Sequence, residues 1–183
     1  MVVSNVTAAK PNKVSGAVFA APIGSTLPTD VSTSLDAAFK ELGYISEDGL
    51  TNGNSPESTA IKAWGGDTVL TIQTSKDDTF GFTLLEVLNL DVLKTIYGTD
   101  NVTGALSTGI TINANSKELQ EQAYVIDMIL RDGTLKRIVI PDAAISEISE
   151  ITYSDSDTVG YGITLQAMPD AAGNTHYEYI KAA

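Results

Sequence analysis

Residues 57–87, ESTAIKAWGGDTVLTIQTSKDDTFGFTLLEV, constrain the fold more than any other stretch of the chain. Two short polar clusters, Gly65-Gly66-Asp67 and Lys76-Asp77-Asp78, stand between runs rich in β-branched and aromatic residues. That is the pattern of consecutive antiparallel strands joined by tight turns, and it predicts a three-stranded meander. On the last of these strands Phe80, Phe82 and Leu84 share one face and Gly81, Thr83 and Leu85 the other, so both faces have apolar character and both need cover. Trp64, the single tryptophan, precedes the first turn and is expected to anchor the core in preference to an interface. The meander can serve a private core, a binding face, or a sheet shared with neighbouring copies; the last is the expectation adopted.

The final third carries the same signals. Residues 122–131 and 135–140 flank Asp132-Gly133, a strong hairpin turn, and Pro141 is expected to end the second of these strands. Ile145, Ile148 and Ile151 lead into another strand. Val159, Tyr161, Ile163, Leu165 and Ala167 then alternate with Gly160, Gly162, Thr164 and Gln166, which predicts one buried and one exposed face. Tyr161 and Tyr124 are expected to be buried, and residues 177–180 make a closing strand after a turn over residues 170–174.

Two helices are expected. Val31, Leu35, Ala38, Phe39 and Leu42 fall at helical spacing, with Thr33 and Asp36 as a capping box and Gly43 as a left-handed stop. A shorter helix runs from an Asn89 cap to Gly98, with Leu93, Ile96 and Tyr97 inward. Residues 1–28, with Pro11, Pro22, Pro28 and the apolar patch 17–21, read as an extended arm docked through Phe19, and residues 29–183 as a single domain. Residues 46–58, SEDGLTNGNSPES, read as a long loop or a loose hairpin. Residues 99–118 are another loop-rich segment, with a brief strand at Ile110 and Ile112. The sum is a mainly β chain of seven or eight strands forming a sandwich or barrel, with long loops and strand edges that must be capped or shared.

Chemistry is thinly represented. Without cysteine there is no disulfide, thiolate metal site or cysteine nucleophile. A single histidine, His176, rules out a histidine metal cluster and leaves a serine triad without a well-placed base. Gly160-Tyr161-Gly162 lacks the third glycine of a dinucleotide fingerprint and lies within a strand. The 46–58 stretch lacks the ligand alternation of a calcium loop. Asp77-Asp78 and Asp155 with Asp157 are expected to be exposed acids with no reason for a raised pKa. No enzyme, cofactor or metal is expected. The formal net charge of −12 disfavours specific nucleic-acid binding. Neither a membrane-length apolar run nor a signal-type start is present, so a soluble, non-secreted protein is expected.

The runs LDAAFKELGYISEDGLT at 35–51, IKAWGGDTVLTIQTSKDDTFGFTLLEV at 61–87, VLKTIYGTDNVT at 92–103 and PDAAISEISEITYSDSDTVGYGITLQAMPD at 141–170 resemble, in order and spacing, the major tail proteins of long-tailed bacteriophages, the tail tube proteins of siphophages, especially those of Gram-positive and actinobacterial hosts. The resemblance extends from about residue 15 to 180 and rests on collinearity, not on a short motif. It implies a tail-tube-type β-sandwich with a flanking helix, related to the type VI secretion tube protein. It further implies hexameric rings stacked into a hollow tube that conducts the genome, located in the virion tail after assembly in the host cytoplasm. Implied partners are further copies of the chain, a tape-measure protein, a tail terminator and distal tail or baseplate proteins; DNA passes without specific binding, and no membrane is involved.

On that resemblance Phe19, Asp48, Asn52, Asn54, Trp64, Gly65, Gly66, Asn113 and Asn115 are candidates for subunit and ring contacts. Asp67, Asp77, Asp78, Asp155 and Asp157 are candidates for an acidic, DNA-repelling lumen. Residues 141–170 hold Asp142, Glu147, Glu150, Asp155, Asp157 and Asp170 without a lysine or arginine. The alternative is a monomeric β-sandwich binding module for carbohydrate or a host surface, recommended by Trp64 and the seven tyrosines.

Overall fold

Strict alternation is realised in the middle of the sheet. In the computed structural model, which describes residues 6–13 and 16–182, Tyr161, Ile163, Leu165 and Ala167 are buried and the residues between them are half-buried. This strand, β10 (Tyr161–Ala167), lies between β5 (Thr68–Leu84) and β9 (Leu135–Ile148), antiparallel to both. The remaining strands are β1 (Ala9–Pro11), β2 (Val18–Pro22), β3 (Lys40–Glu41), β4 (Thr51–Lys62), β6 (Val102–Ala105), β7 (Gly109–Ile112), β8 (Gln122–Leu130) and β11 (Tyr177–Lys181). The main sheet runs β3-β2-β8-β9-β10-β5-β4, with β1 on β8 and β11 on β9; β6 and β7 form a separate hairpin. The result is a mainly β, sandwich-like antiparallel architecture.

Strand β9 links the two halves. Its first part, Leu135 to Val139, pairs with β11, and its later part, Ala143 to Ile148, pairs with β10. Pro141 does not end the strand as expected. It sits where the β8 pairing skips, Tyr124 opposite Ile140 and Gln122 opposite Ala143, and such an irregularity tolerates a residue that has no N–H to donate. The Asp132-Gly133 hairpin, the β10 and β11 strands, the 170–174 turn and the brief strand at Ile110 and Ile112 all form as expected.

Burial falls into two clusters. The larger gathers Val18, Ala20, Phe80, Phe82, Leu84, Tyr124, Ile126, Ile140, Tyr161, Ile163 and Leu165 beneath the helix α1 (Leu90–Tyr97), which contributes Val92, Leu93 and Ile96. Asn89 caps that helix by accepting from the Asp91 amide, and Gly98, at φ 91°, stops it. The smaller cluster lies on the other side of β2, β8 and β9, where Phe19, Ala21, Val125 and Val139 meet Phe39, with Leu27, Leu35 and Ala38 packed alongside. Residues 18–22 of the expected arm are thus an interior strand; its residues 1–5 and 14–15 lie outside those described.

Three further expectations fail. Residues 31–42 are not helical, although Leu35, Ala38 and Phe39 do turn inward. Asp30 instead closes a local turn by accepting from the Ser32 and Thr33 amides, as Asp36 does from Ala38. The carbonyls of Asp30 and Thr33, which a helix would have used, accept from Arg137 Nη1 at 2.9 and 2.7 Å. That arginine is buried and forked onto Asp127 at 2.6 and 2.8 Å. α1 is therefore the single α-helix among the described residues. The 46–58 loop is also wrong beyond residue 50, because Thr51 onward is strand β4. Finally, Lys76-Asp77-Asp78 is no turn; it lies inside the seventeen-residue β5, and the three-stranded meander is a two-stranded ribbon.

Candidate functional site

Strands β4 and β5 pair from Thr51 opposite Gly81 to Lys62 opposite Thr68, with irregularities after Glu57 and Ile61. Near its root the ribbon belongs to the sheet, because residues 79–84 of β5 also pair with β10. Beyond Asp78 it stands alone. Every residue of β4 is exposed, and from Thr68 to Asp77 all are exposed except the half-buried Ser75. Among the described residues no strand pairs with the outer edge of β4 or with the outer edge of residues 68–78 of β5. About nine residue pairs at ~3.3 Å each give a projection of roughly 30 Å.

The ribbon's distal half has two unlike faces. Ile61 opposes Leu70 and Thr59 opposes Ile72, which places Ile61, Leu70 and Ile72 together on one side. Ala60 opposes Thr71 and Ser58 opposes Gln73 on the other. Residues 58–61 and 68–75 carry no charged side chain. At the tip, Gly66 N donates to Ala63 O at 3.0 Å and Ala63 N to Asp67 O at 2.8 Å. Gly65 and Gly66 take φ values of 115° and 101°, open to glycine and strained for other residues. Trp64 is fully exposed there, not in the core as expected, because the ribbon carries it away from every other element.

An isolated ribbon of this length, with half-exposed Ile and Leu and two free edges, is marginal in water unless something covers it. The sequence pattern obscured this. TNGNSPES reads as loop because a strand solvated on both faces needs no alternation, and Lys76 and Asp77 mimic a turn for the same reason.

The other candidates scatter. Phe19 is buried inside the subunit, beneath Lys13 Nζ at 5.5 Å from its ring centroid, and presents no surface. Asp48 is exposed in the Ser46–Gly49 turn, where Ser46 Oγ donates to it. It borders an open cleft of about 720 Å3 with Glu47, Glu150 and Asp157. Asn113 and Asn115 are exposed beside the β6–β7 hairpin; both hydrogen-bond to Asn101, and Asn115 also accepts from the Lys117 amide. Asp155 and Asp157 are exposed in the 150–158 loop and Asp67 at the ribbon tip, far apart in the chain's fold order. Asn52, Asn54, Trp64, Gly65, Gly66, Asp67 and Asp77 all belong to the ribbon.

Asp78 is not the exposed acid expected. Only 2% of it is accessible, and its carboxylate accepts from Asn52 Nδ2 at 2.8 Å, Thr175 Oγ1 at 2.5 Å and His176 Nδ1 at 2.5 Å. Burial by itself would raise its pKa, but the hydrogen bonds from Thr175, Asn52 and His176 together outweigh it and hold the group below the usual carboxylate range. Sequence reading could not assemble this cluster, since Asp78 and its two C-terminal partners are separated by 97 and 98 positions.

The β-sandwich extends a ribbon whose distal edges are unpaired among the described residues and whose one face exposes Ile61, Leu70 and Ile72. The profile of the phage tail tube protein family matches residues 10–183, and the chain belongs to that family. No curated protein matches it. Its role is accordingly that of a structural component of a phage tail, assembling with itself and with other tail components.

Proposed function

We propose that this subunit closes into rings, hexameric on the family resemblance, that stack into the tube conducting a siphophage genome to the host. The observation that carries the reading is the ribbon with both distal edges unpaired. Edge pairing between the ribbons of successive copies satisfies the orphan N–H and C=O groups, and a head-to-tail contact repeated around an axis closes on itself. The strands then form one barrel wide enough to leave a channel. The side chains near the tip, Trp64 above all, lie where a stacked ring would meet them. Asp48, Asn113 and Asn115 are further candidates for contacts between subunits.

The acidity suits a conduit. A net charge of −12 repels phosphate over a Debye length of about 8 Å, so DNA is not held as it passes. Asp67 and Asp77 on the ribbon, and Asp155 and Asp157 in their loop, remain the acids proposed for the lumen. The tape-measure protein, tail terminator and distal tail proteins are the proposed partners, with assembly in the host cytoplasm; no catalysis is involved. The carbohydrate-binding alternative is not favoured, because Tyr124 and Tyr161 are buried and the family is a structural one.

Electron microscopy of the purified chain tests the reading, alone and with a short preassembled tail tip as a seed. Rings or tubes are expected from the parent. A variant with residues 60–71 replaced by an Asn-Gly turn should stay folded and form neither. Tubes from the shortened variant would overturn the proposal.

A further inference from the structure

A buried carboxylate is an odd choice for the root of a ribbon. Position 78 continues the inward face of Phe80, Phe82 and Leu84, where an aliphatic side chain would fill the space without any need for partners. Asp78 instead demands donors, and a buried charge that fails to find them is strongly destabilising. Three donors come from two places. Asn52 lies on β4, within the ribbon's root, and also bonds Thr79 O at 3.0 Å. Thr175 and His176 come from the segment leading into β11, at the far end of the chain, and the His176 ring stands edge-on to Phe80 at 5.3 Å.

Asp78 is also the last buried residue before the ribbon becomes free on both faces. Whatever fixes it there fixes the direction in which the next ten residues leave the body. Apolar packing tolerates small rotations of a strand, whereas a carboxylate that accepts from three side chains is satisfied over a narrow range of positions.

We propose that Asp78, Asn52, Thr175 and His176 form a clasp by which the C-terminal segment sets the ribbon's direction, holding it in the orientation that neighbouring copies need in order to pair with it. The inference rests on the ribbon being the assembling element. The four residues are positioning residues: they need not touch a neighbouring subunit, and the C-terminal segment acts on assembly through the root of β5.

The test pairs amide hydrogen exchange of the free subunit with the subunit concentration needed for tube growth. The double variant Thr175→Val with His176→Phe removes two donors while keeping side-chain volume and the aromatic contact. Exchange over residues 52–57 and 73–78 should accelerate about tenfold or more, the effect of losing hydrogen bonds to a charged group, while the β8–β9 hairpin keeps its protection. The concentration needed for tubes should rise about tenfold or more.

Unchanged exchange at the root would overturn the clasp, and so would a loosened root with unchanged tube growth. If the double variant does not fold, adding Asp78→Val removes the stranded charge and restores packing. The triple variant should fold and still show the loosened root, and parental protection there would refute the proposal. The shortened-ribbon variant separates the two readings: if it still forms tubes, the assembly role of the ribbon falls, whereas the exchange result judges the clasp independently.

Discussion

Replacing Ile61, Leu70 and Ile72 by threonine tests the energetic side of ribbon pairing without disturbing the subunit. The three side chains share one face and are 43%, 53% and 46% exposed in the single subunit. Full burial of such a side chain contributes about 1.5–3 kcal/mol, so each has roughly half of that, about 1 kcal/mol, still to gain when a neighbour covers it. Threonine keeps the β-branching that favours a strand and forgoes most of the gain. Three positions together weaken each subunit addition by about 3 kcal/mol, which corresponds to a rise of roughly 100-fold in the concentration at which tubes appear. Light scattering against subunit concentration, with pelleting as a check, measures that threshold. The thermal midpoint of the free subunit should stay within about 2 °C, because in the free subunit these side chains pack only along the exposed ribbon and belong to neither core cluster. A threshold within threefold of the parent would show that this face stays wet in the tube and that burial of the ribbon does not drive assembly.

Trp64 is the only tryptophan and is fully exposed, so its emission reports on the ribbon tip alone; on tube formation it should shift to the blue and become less accessible to iodide, while an unchanged spectrum would leave the tip outside every contact. Arg137→Met strands the Asp127 carboxylate in the sheet and frees the carbonyls of Asp30 and Thr33, which should cost about 3–5 kcal/mol in chemical denaturation, with the loss of order centred on residues 30–39. The Asp78 carboxylate is depressed in the folded state, so its stabilising contribution is complete above the unfolded value near 3.8 and disappears only as pH falls through the lower folded value. Protection of the ribbon root should therefore persist at pH 4, and its loss between pH 6 and 5 would contradict the hydrogen-bonded, ionised form.

Elements whose signals are local were legible in the sequence. The alternation of Tyr161 to Ala167, the Asp132-Gly133 turn and the Asn89 cap with its Gly98 stop each depend on neighbours a few residues away, and each is where the pattern places it. The apolar spacing of residues 31–42 correctly marked Leu35, Ala38 and Phe39 as inward-facing but assigned the wrong backbone, because the deciding partner, Arg137, is more than a hundred positions away. The ribbon was legible at its Gly65-Gly66-Asp67 turn but not along its length or at its root. Period-two patterning records one dry and one wet face in the free subunit, and a strand solvated on both faces does not record it in that form. Trp64 shows the same limit: its apolar character suits a core, but the tip on which it sits meets nothing in this subunit. Asp78 looked like a surface acid beside Asp77 until β11 brought Thr175 and His176 to it.

The most direct test of the account is a cryo-electron microscopy reconstruction of the assembled tube at a resolution that traces main chain. The expected result is a continuous ring of strands around the channel in which residues 68–78 of one subunit are hydrogen-bonded along their free edge to the ribbon of the next, with Ile61, Leu70 and Ile72 covered. Ribbons that point outward into solvent, or a channel wall built from other strands, would contradict it.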